Sequence, residues 1–371
     1  MRPETEAELA EMIAAAKGPL HVQGGGTRPV GQPVTGEMLH TSGMSGITLY
    51  EPGALTLVVQ AGTPLAEIEA ALDAEGQRLP FEPMDHRGLL GTSGTPTIGG
   101  VVASNASGPR RIQVGACRDF MLGVRFVDGQ GTVIKNGGRV MKNVTGYDLV
   151  KLLSGSWGTL GVLSEVSLKV LPKPDSAATL KFRGLDVAQA VSVMSRALGS
   201  PFEITGAAHD PQAGQTLLRI EGFAQSVTYR AGQLRALFSD HAIEIENDPA
   251  QVAATWAGIR DVAPLQDGTG DVWRLSVKPS DAPELVARLD AEALLFDWGG
   301  GLIWARVPEG TDLRARMSGV KGHATLIRGS AASRAALPVF HPEPAPLAHI
   351  TDGLRLRFDP RGILNPGLMG A

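Results

Sequence analysis

The sequence predicts an α+β protein with two domains, and three observations lead to this prediction. The chain of 371 residues contains 47 glycines, which are dense up to Gly161, whereas most tryptophans lie beyond residue 250. The segment VLPKPDS at 170–176 combines prolines with a change in composition and predicts a domain boundary. Beyond it, strand and helix patterns alternate as in split βαβ units on an antiparallel sheet. We therefore expect domains at 1–174 and 175–345 and a C-terminal segment at 346–371.

Composition narrows the class of function. The net charge is −4 and 43% of the residues are hydrophobic, which argues against binding to nucleic acid or to an anionic membrane surface. Cys117 is the only cysteine, so we expect no disulfide, zinc site or cysteine-ligated cluster, and no metal site is predicted. The N-terminus lacks the pattern of a secretory signal, and no apolar run is long enough to span a bilayer. These features predict a cytoplasmic protein.

The first domain reads as short elements joined by turns. A helix is predicted at 5–17, where Thr5 and Glu8 fit a capping box. A strand at 19–23 leads into a glycine loop, and ITLYEPGALTLVVQAG predicts two further strands. TPLAEIEAALDAEG predicts an amphipathic helix, and MLGVRFVDGQGTVIKNG predicts a hairpin. The passage at 88–115 shows little periodicity.

The sequence of the second domain repeats one pattern of predicted strands and helices. TLKFRGL, DVAQAVSVMSRALG and FEITGAAH predict strand, helix and strand, and QTLLRIEGF, SVTYRAGQLRALFSDH and AIEIEN repeat the pattern. After a helix around Trp256, the same order returns from VWRLSVK to HATLIRG. Two split βαβ units account for this order.

The loop QGGGTR at 23–28 raises the question of nucleotide binding. A Walker A loop requires a Gly-Lys-Ser/Thr tripeptide, which the chain does not contain. A dinucleotide fingerprint requires a third glycine, but Pro29 stands at that position and no helix pattern follows. The tripeptide alone therefore leaves a structural turn and a phosphate-binding loop equally open.

Three further glycine-rich passages favour the phosphate-binding loop. They are TPTIGGVVASNASGPRR at 95–111, the segment from NVTGYDL to LSEVSLKV at 143–170, and FDPRGILNPG at 358–367. Their small residues allow a flat ligand or a pyrophosphate to lie against the backbone. Four such passages in one chain predict a large, elongated ligand.

These four passages resemble the PCMH-type (vanillyl-alcohol oxidase) family of FAD-binding proteins. Members carry an R-G-G-G-T-S-like loop, an x-G-G-x-x-A-x-N-x-x-G loop, a G-Y-D-L-x-x-L-x-x-G-S-x-G-x-L-G-V segment and a D-P-x-x-x-x-N-P-G return, and all four occur here in that order. The resemblance covers 18–174 and 358–367. It implies an FAD cofactor, a flavin domain of two subdomains, a cap domain of ferredoxin-like units, and a C-terminal segment that returns to the flavin domain.

The resemblance also carries over residues, position by position. The first two loops would hold the pyrophosphate, and the third passage would line the flavin and adenine. Members that bind FAD covalently often use a histidine in an R-x-G-G-H loop, where this chain has Gly26 and Thr27, so non-covalent FAD is expected. The residues carried over to the cofactor are Gly24, Gly25, Gly26, Thr27, Arg28, Gly99, Gly100, Ser104, Ala106, Gly108, Gly155, Gly158, Thr159, Gly161, Val162 and Asn365.

Phrases in both halves resemble a narrower group, the smaller FAD-binding subunits of bacterial glycolate dehydrogenases (glycolate oxidases). Among them are SGPRRIQVGACRDFMLGVRFVDGQG, VWRLSVKPSDAP and FDWGGGLIWARVP. That resemblance implies oxidation of glycolate to glyoxylate, with electrons passed to a larger FAD subunit and an iron–sulfur subunit. It also implies that any membrane association is peripheral, at the inner face of the cytoplasmic membrane and through those partners.

Oxidation of a 2-hydroxy acid requires a base for the hydroxyl proton and a cation for the carboxylate. The H-x-G-D-G-N-x-H segment of larger relatives is absent here, and Arg274, His323 and Arg328 are the nearest substitutes. Structural alternatives stand beside these roles: His323 can satisfy backbone groups at a strand start, and Arg274 can stack on a tryptophan or form a surface ion pair. Trp298 and Trp304 are expected to pack in the core.

Two other functions stay open on the sequence alone. The chain can be a stand-alone FAD-dependent 2-hydroxy-acid or alcohol dehydrogenase that uses His323 and the arginines. It can also be a scaffolding subunit that has lost its flavin. The intact glycine loops argue against the second, because a lost ligand removes the reason to keep bulky side chains out.

Overall fold

The computed structural model describes residues 1–138 and 146–370, and the first part of the chain contains a parallel strand pair and a five-stranded sheet. The strands of this part are β1 Leu20–Gln23, β2 Glu37–His40, β3 Ile47–Glu51, β4 Thr56–Gln60, β5 Gln77–Arg78, β6 Met121–Val127, β7 Val133–Gly137, β8 Val162–Lys169 and β9 Leu171–Pro172. Its helices are α1 Glu6–Ala15, α2 Leu65–Ala74, α3 Arg87–Leu90, α4 Ile98–Ala103, α5 Arg111–Val114 and α6 Leu149–Leu153.

Two small cores organise this first part. The parallel pair β1–β2 packs with α1 around Leu9, Ile13, Leu20 and Leu39, all of which are buried. The antiparallel sheet has the strand order β3-β4-β8-β6-β7, and apolar residues of α2, α4 and α6 join its core. These two cores define two subdomains, and the glycine-rich loops lie between them.

Local differences from the sequence-based expectations have simple causes. Thr5 Oγ1 accepts from the Glu8 N–H at 3.2 Å, as predicted, but the Glu8 carboxylate accepts from the N–H of Glu4 at 2.8 Å, so only half of the capping box forms. The passage at 88–115 contains α4 and α5 and most of α3. These helices are too short for an apolar face to repeat, so no periodicity marks them.

The second part of the chain forms one large sheet. Its strands are β10 Ser176–Arg183, β11 Ile204–Asp210, β12 Gln215–Gly222, β13 Ile243–Glu246, β14 Asp271–Val277, β15 Ala293–Asp297, β16 Leu302–Val307 and β17 Gly322–Arg328. Its helices are α7 Val187–Leu198, α8 Ala224–Leu237, α9 Pro249–Arg260, α10 Ala282–Leu289, α11 Leu313–Arg316, α12 Ala331–Ala336 and α13 Ala345–Phe358.

The strand order of this sheet is β13-β10-β12-β11-β15-β16-β14-β17, and every pair in it is antiparallel. Strands β10 to β13 with α7 and α8 form one ferredoxin-like unit, and β14 to β17 with α10 and α11 form a second. The units join edge to edge where His209 of β11 pairs with Phe296 of β15. The α+β class and the split βαβ units are therefore confirmed, and we call this the cap sheet.

The C-terminal residues return to the first part of the chain. Helix α13 precedes the return and was not predicted from the sequence. After it, the N–H of Leu20 donates to Ile363 O at 2.7 Å and the N–H of Asn365 donates to Leu20 O at 3.0 Å. None of the helices in the described residues is both long and apolar enough to cross a membrane.

Candidate functional site

All four glycine-rich passages meet around one cavity of about 340 Å³, which lies within the usual range of cofactor sites, roughly 300–1,000 Å³. Residues 143–145, at the start of the third passage, lie outside the described residues. The predicted residues that line the cavity are Gly24, Gly25, Gly26, Thr27, Arg28, Gly99, Gly100, Gly158, Gly161, Val162 and Asn365.

The first loop lines the cavity with residues whose backbone N–H groups are unpaired. Within 1–138 and 146–370, no N–H group from Gly25 to Arg28 donates a hydrogen bond to a protein acceptor. The described lining contains no carboxylate, and its charged side chains are Arg28 and Arg334. Unpaired backbone donors of this kind are costly unless an anion or water accepts from them. The cavity is therefore built for an anionic group.

Three of the glycines allow close packing between protein segments. A Cβ atom on Gly25 would stand 1.5 Å from Thr95 O, and one on Gly99 would stand 2.7 Å from Ala61 O. A Cβ on Gly161 would stand 2.5 Å from the Phe126 ring. At these positions the space that a side chain would fill is taken by neighbouring protein. The glycines allow the loops to pack closely against one another, and this packing forms the cavity wall.

Asn365 connects the passages through its side-chain amide. Its Oδ1 accepts from the N–H of Val22 at 2.7 Å, and its Nδ2 donates to Trp157 O at 2.9 Å. The C-terminal return therefore holds the segment before the first loop against the third passage. Asn365 lines the cavity, and both polar atoms of its amide are hydrogen-bonded within the protein.

The remaining carried-over residues support the cavity from behind, and in the part of the chain that the structure describes they do not line it. Ser104 Oγ donates to Gly100 O at 2.7 Å, and Thr159 Oγ1 donates to Ser156 O at 2.7 Å. Both bonds stabilise the turns that carry lining residues. These supporting residues are Ser104, Ala106, Gly108, Gly155 and Thr159.

Arg28 extends from the cavity to a buried histidine that the sequence analysis missed. Its Nε donates to His86 Nδ1 at 2.9 Å, and its Nη2 donates to Met84 O at 2.9 Å. Nδ1 also lies 3.2 Å from Met84 O. Because a guanidinium only donates, the shorter contact with Arg28 assigns Nδ1 as the acceptor and the proton of neutral His86 to Nε2. Burial, followed by the charge of Arg28, holds the pKa of His86 well below its usual value. Burial also lowers the pKa of Arg28 to about 10.

The three predicted catalytic residues lie on the cap sheet in different surroundings. Arg274 of β14 stands opposite Thr325 of β17, and its guanidinium carbon lies 5.0 Å from the Trp298 ring centroid. Burial, then the charge of Arg111, lowers the pKa of Arg274 to about 10.

His323 lies two pairs further along, opposite Ser276, and is exposed. Partial desolvation, then Arg274 and His341, lower its pKa. Arg328 donates to the carbonyls of Leu89, Gln266 and Gly268. Since its guanidinium is hydrogen-bonded to helix α3 and to the loop before β14, we do not carry it into the catalytic proposal.

A buried ionic cluster joins the first part of the chain to the cap sheet. Glu221 accepts from Arg110 Nε at 2.8 Å and from Arg78 Nη1 at 3.0 Å. Glu82 accepts from Arg219 at 2.8 Å and forms an ion pair with Arg110 at 2.9 Å. The neighbouring arginines outweigh burial and hold the pKa of Glu82 and of Glu221 below the usual value. The cluster fixes the cap sheet against the loops behind the cavity.

The pKa of Asp297, at the end of β15, is shifted in the opposite direction. Burial raises its pKa to about 7, although its Oδ1 accepts from the N–H of Trp298 at 2.7 Å. An unfolded aspartate has a pKa of about 3.9. Between these values the folded protein holds a proton that the unfolded chain has lost, so this group makes stability fall as the pH rises through that window.

We therefore expect Asp297→Asn to gain stability relative to wild type as the pH rises, by up to about 1.4 kcal/mol per pH unit. Asparagine keeps an acceptor for the Trp298 N–H and has no charge to bury. Urea unfolding of both proteins at pH 5 and at pH 8 measures the difference. An equal difference at the two pH values would show that Asp297 is ionised in the folded protein at both.

Comparison with known proteins places the fold and the cavity in a class. Residues 1–137 match the family model described as an FAD binding domain. An alkyldihydroxyacetonephosphate synthase structure superposes with a TM-score of 0.73 at 16% identity, covering 99% of this chain and 75% of that one. The first part of the chain is therefore a PCMH-type FAD-binding domain, and the sequence-based prediction of FAD is confirmed.

One curated relative is similar over nearly the whole chain. The chain is 38% identical over 367 residues to glycolate oxidase subunit GlcE of Escherichia coli (strain K12), covering 98% of this chain and 96% of that protein. It thus belongs to the GlcE family of FAD-dependent oxidoreductases.

Shorter matches reach other oxidoreductases. Glycolate oxidase subunit GlcD of Bacillus subtilis (strain 168) is 36% identical over 126 residues, which are 34% of this chain and 25% of GlcD. A D-lactate dehydrogenase of Anaerostipes hadrus is 35% identical and covers 48% of this chain and 38% of the relative.

Proposed function

We propose that the chain is the smaller FAD-binding subunit of a glycolate oxidase complex, which converts glycolate to glyoxylate and passes electrons to partner subunits. The observation that carries this proposal is the match to GlcE over 98% of the chain, together with a cavity that presents unpaired N–H groups and no described carboxylate. Its domains would be the flavin domain at 1–174, the cap at 175–345 and the return at 346–371.

FAD fits the cavity through the donors of this chain. The N–H groups of Gly25 to Arg28 would bind the pyrophosphate oxygens, with Gly99 and Gly100 on the opposite wall. Gly158, Gly161 and Val162 would line the flavin and adenine. When bound, FAD supplies the acceptor for the hydride that leaves the substrate carbon. Since Gly26 and Thr27 stand where covalent members have a histidine, we infer that the flavin is held without a covalent bond.

Electrons that reach the flavin must be passed to an acceptor, and this requirement supports a complex over a stand-alone enzyme. A single cysteine cannot hold a cysteine-ligated iron–sulfur cluster, so a separate iron–sulfur subunit would supply it, and a larger FAD subunit would complete the assembly. The similarity to GlcD over 126 residues supports kinship with a second flavin subunit. Membrane association would be peripheral, at the inner face of the cytoplasmic membrane, and mediated by these partners.

Co-purification and substrate reduction test this proposal. The chain should purify with a larger flavin subunit and an iron–sulfur subunit, and glycolate should reduce the flavin of the complex anaerobically. The isolated, FAD-loaded chain is the control. Purification of the chain without partners would contradict the proposal. So would a complex whose flavin glycolate does not reduce.

One observation favours a second candidate, a stand-alone FAD-dependent 2-hydroxy-acid or alcohol dehydrogenase. The guanidinium of Arg274 forms no ion pair and no side-chain hydrogen bond among the described residues, although the charge of Asp297 acts on it. It is therefore available to a substrate carboxylate. Bleaching of the isolated chain's flavin by glycolate or D-lactate, without partners, would support this candidate. A flavin-free scaffold is disfavoured by the unpaired N–H groups of the first loop.

A further inference from the structure

A single indole links the cap sheet to the second glycine-rich passage. Trp298 Nε1 donates to Gly108 O at 3.0 Å. The backbone of Trp298 has a left-handed φ of +54°, and its N–H donates to Asp297 Oδ1 at 2.7 Å. The ring is thus held at a fixed position between the two parts of the chain. Its polar edge faces a loop that the PCMH pattern assigns to the cofactor.

Two arginines from different parts of the chain share this indole. The guanidinium carbon of Arg274, on β14 of the cap sheet, lies 5.0 Å from the ring centroid, and that of Arg111, at the start of α5, lies 6.0 Å from it. Cation–π contact of this kind is a weak attraction. It orients the guanidinium groups but does not neutralise them.

Neither guanidinium is bound by a carboxylate of the described chain. Arg111 and Arg274 take part in no ion pair and no side-chain hydrogen bond within 1–138 and 146–370. Residues 139–145, outside that description, contain no aspartate or glutamate. The adjacent Arg110, by contrast, contacts both Glu82 and Glu221. Asp297 is the carboxyl group whose charge acts on Arg274, but burial raises the pKa of Asp297 to about 7. It therefore only partly offsets two half-buried cations beside each other, and a bound anion is favoured here.

His86 adds a neutral donor in this neighbourhood. Its Nδ1 is occupied by Arg28, and its Nε2–H has no protein acceptor in the part of the chain that the structure describes. The charge of Arg274 is among those that keep the ring neutral. A neutral imidazole N–H beside guanidinium groups can donate to an anion without adding repulsion.

We propose that Arg111 and Arg274, oriented by Trp298, form a binding site for the carboxylate of a small 2-hydroxy or 2-oxo acid, between the flavin domain and the cap. This inference rests on the proposed function for the nature of the acid. A guanidinium binds a carboxylate through two parallel N–H donors, which fixes the orientation of the acid as well as its charge. Because each part of the chain supplies one arginine, the site is complete only when the cap lies against the flavin domain.

An anion at this position has two possible sources, the carboxylate of the acid and a phosphate of FAD. The carboxylate is favoured because the first loop already offers the unpaired N–H groups of Gly25 to Arg28 to the pyrophosphate. Arg111 and Arg274 lie instead with Trp298, which contacts the last glycine of the second passage. Measuring FAD affinity beside acid affinity separates the two sources.

Calorimetric titration of the full-length, FAD-loaded chain with oxalate tests the site without requiring turnover. Oxalate should bind saturably to wild type, and Arg111→Gln and Arg274→Gln should each weaken binding about tenfold or more, because each loses a charge-assisted hydrogen bond. Arg274→Lys should give an intermediate loss. Arg118→Gln is the matched control, since Arg118 is an exposed arginine that follows the second passage, and its oxalate affinity should equal that of wild type.

The FAD content and the melting temperature of each variant are measured first. Variants that keep both but lose oxalate binding support the site. If Arg274→Gln or Arg111→Gln loses FAD in a folded protein, the arginines serve a phosphate of the cofactor and the carboxylate assignment is wrong. Wild type that does not bind oxalate, although glycolate reduces the flavin of the complex, would overturn this inference and leave the proposed function standing. Oxalate binding without any glycolate reduction would support the site and count against the proposed function.

Discussion

Replacing Glu221 with alanine is expected to lower the free energy of unfolding by about 3–5 kcal/mol, because it leaves buried arginines without their partner. The Glu221 carboxylate contacts Arg78 and Arg110, and its side chain is 6% exposed. The charges of Arg219, Arg110 and Arg78 hold its pKa well below the usual range. Urea unfolding at neutral pH measures the loss.

Glu244→Ala is the matched control for this prediction. Glu244 lies on the same sheet, forms ion pairs with Lys181 and Arg183, and has a side chain that is 54% exposed. Removing such a surface pair costs far less than removing a buried partner, because solvent screens the charges. Equal losses for the two variants would show that the cluster between the cap sheet and the first part of the chain contributes no more than a surface pair.

The second large effect is expected for the Gly100→Asp variant. A Cβ atom there has ordinary contacts, at 3.4 Å from Thr97 Oγ1 and 3.6 Å from Arg28 Nη1, so the fold should tolerate the side chain. The carboxylate would extend into the cavity and repel the pyrophosphate. Like charges in contact cost several kcal/mol, so the affinity for FAD should fall about 100-fold or more. Fluorescence titration of the FAD-free chain with FAD measures it.

The Gly100→Ala variant separates the effect of the added charge on FAD affinity from the effect of the added side-chain size. Alanine adds the same Cβ at a helical position and no charge, so FAD affinity should stay near that of wild type. The melting temperature of each FAD-free variant shows whether the fold is intact. Wild-type affinity in the aspartate variant would place the pyrophosphate elsewhere.

Much of the fold was predictable because its signals are local. Strand and helix patterns repeat in the cap sheet, so the two ferredoxin-like units follow from the order of elements. The four glycine-rich passages were recognisable from spacing alone, and the structure brings them around one cavity. Short helices such as α4 and α5 were not predicted, since four to six residues contain no full apolar repeat. Helix α13 was missed as well, and none of its residues is fully buried.

The electrostatic features of the site could not be predicted, because they depend on residues far apart in the sequence. Arg110 and Arg111 are neighbours in the chain, yet one is paired with Glu82 and Glu221 and the other faces Trp298. No local pattern distinguishes them. Trp298 was expected to pack in the core, and its contact with Gly108 appears only when the two parts of the chain are together. The role of each glycine likewise depends on which distant atom fills the space beside it.

The most direct test of this account is the flavin content of the purified chain before and after denaturation. We predict that the chain carries, or takes up, one FAD per molecule, and that denaturation releases the yellow colour into the filtrate as intact FAD. Colour that stays with the denatured polypeptide would show a covalent bond and overturn the non-covalent assignment. A folded chain that neither contains FAD nor binds added FAD would contradict the central claim that this cavity is a flavin site.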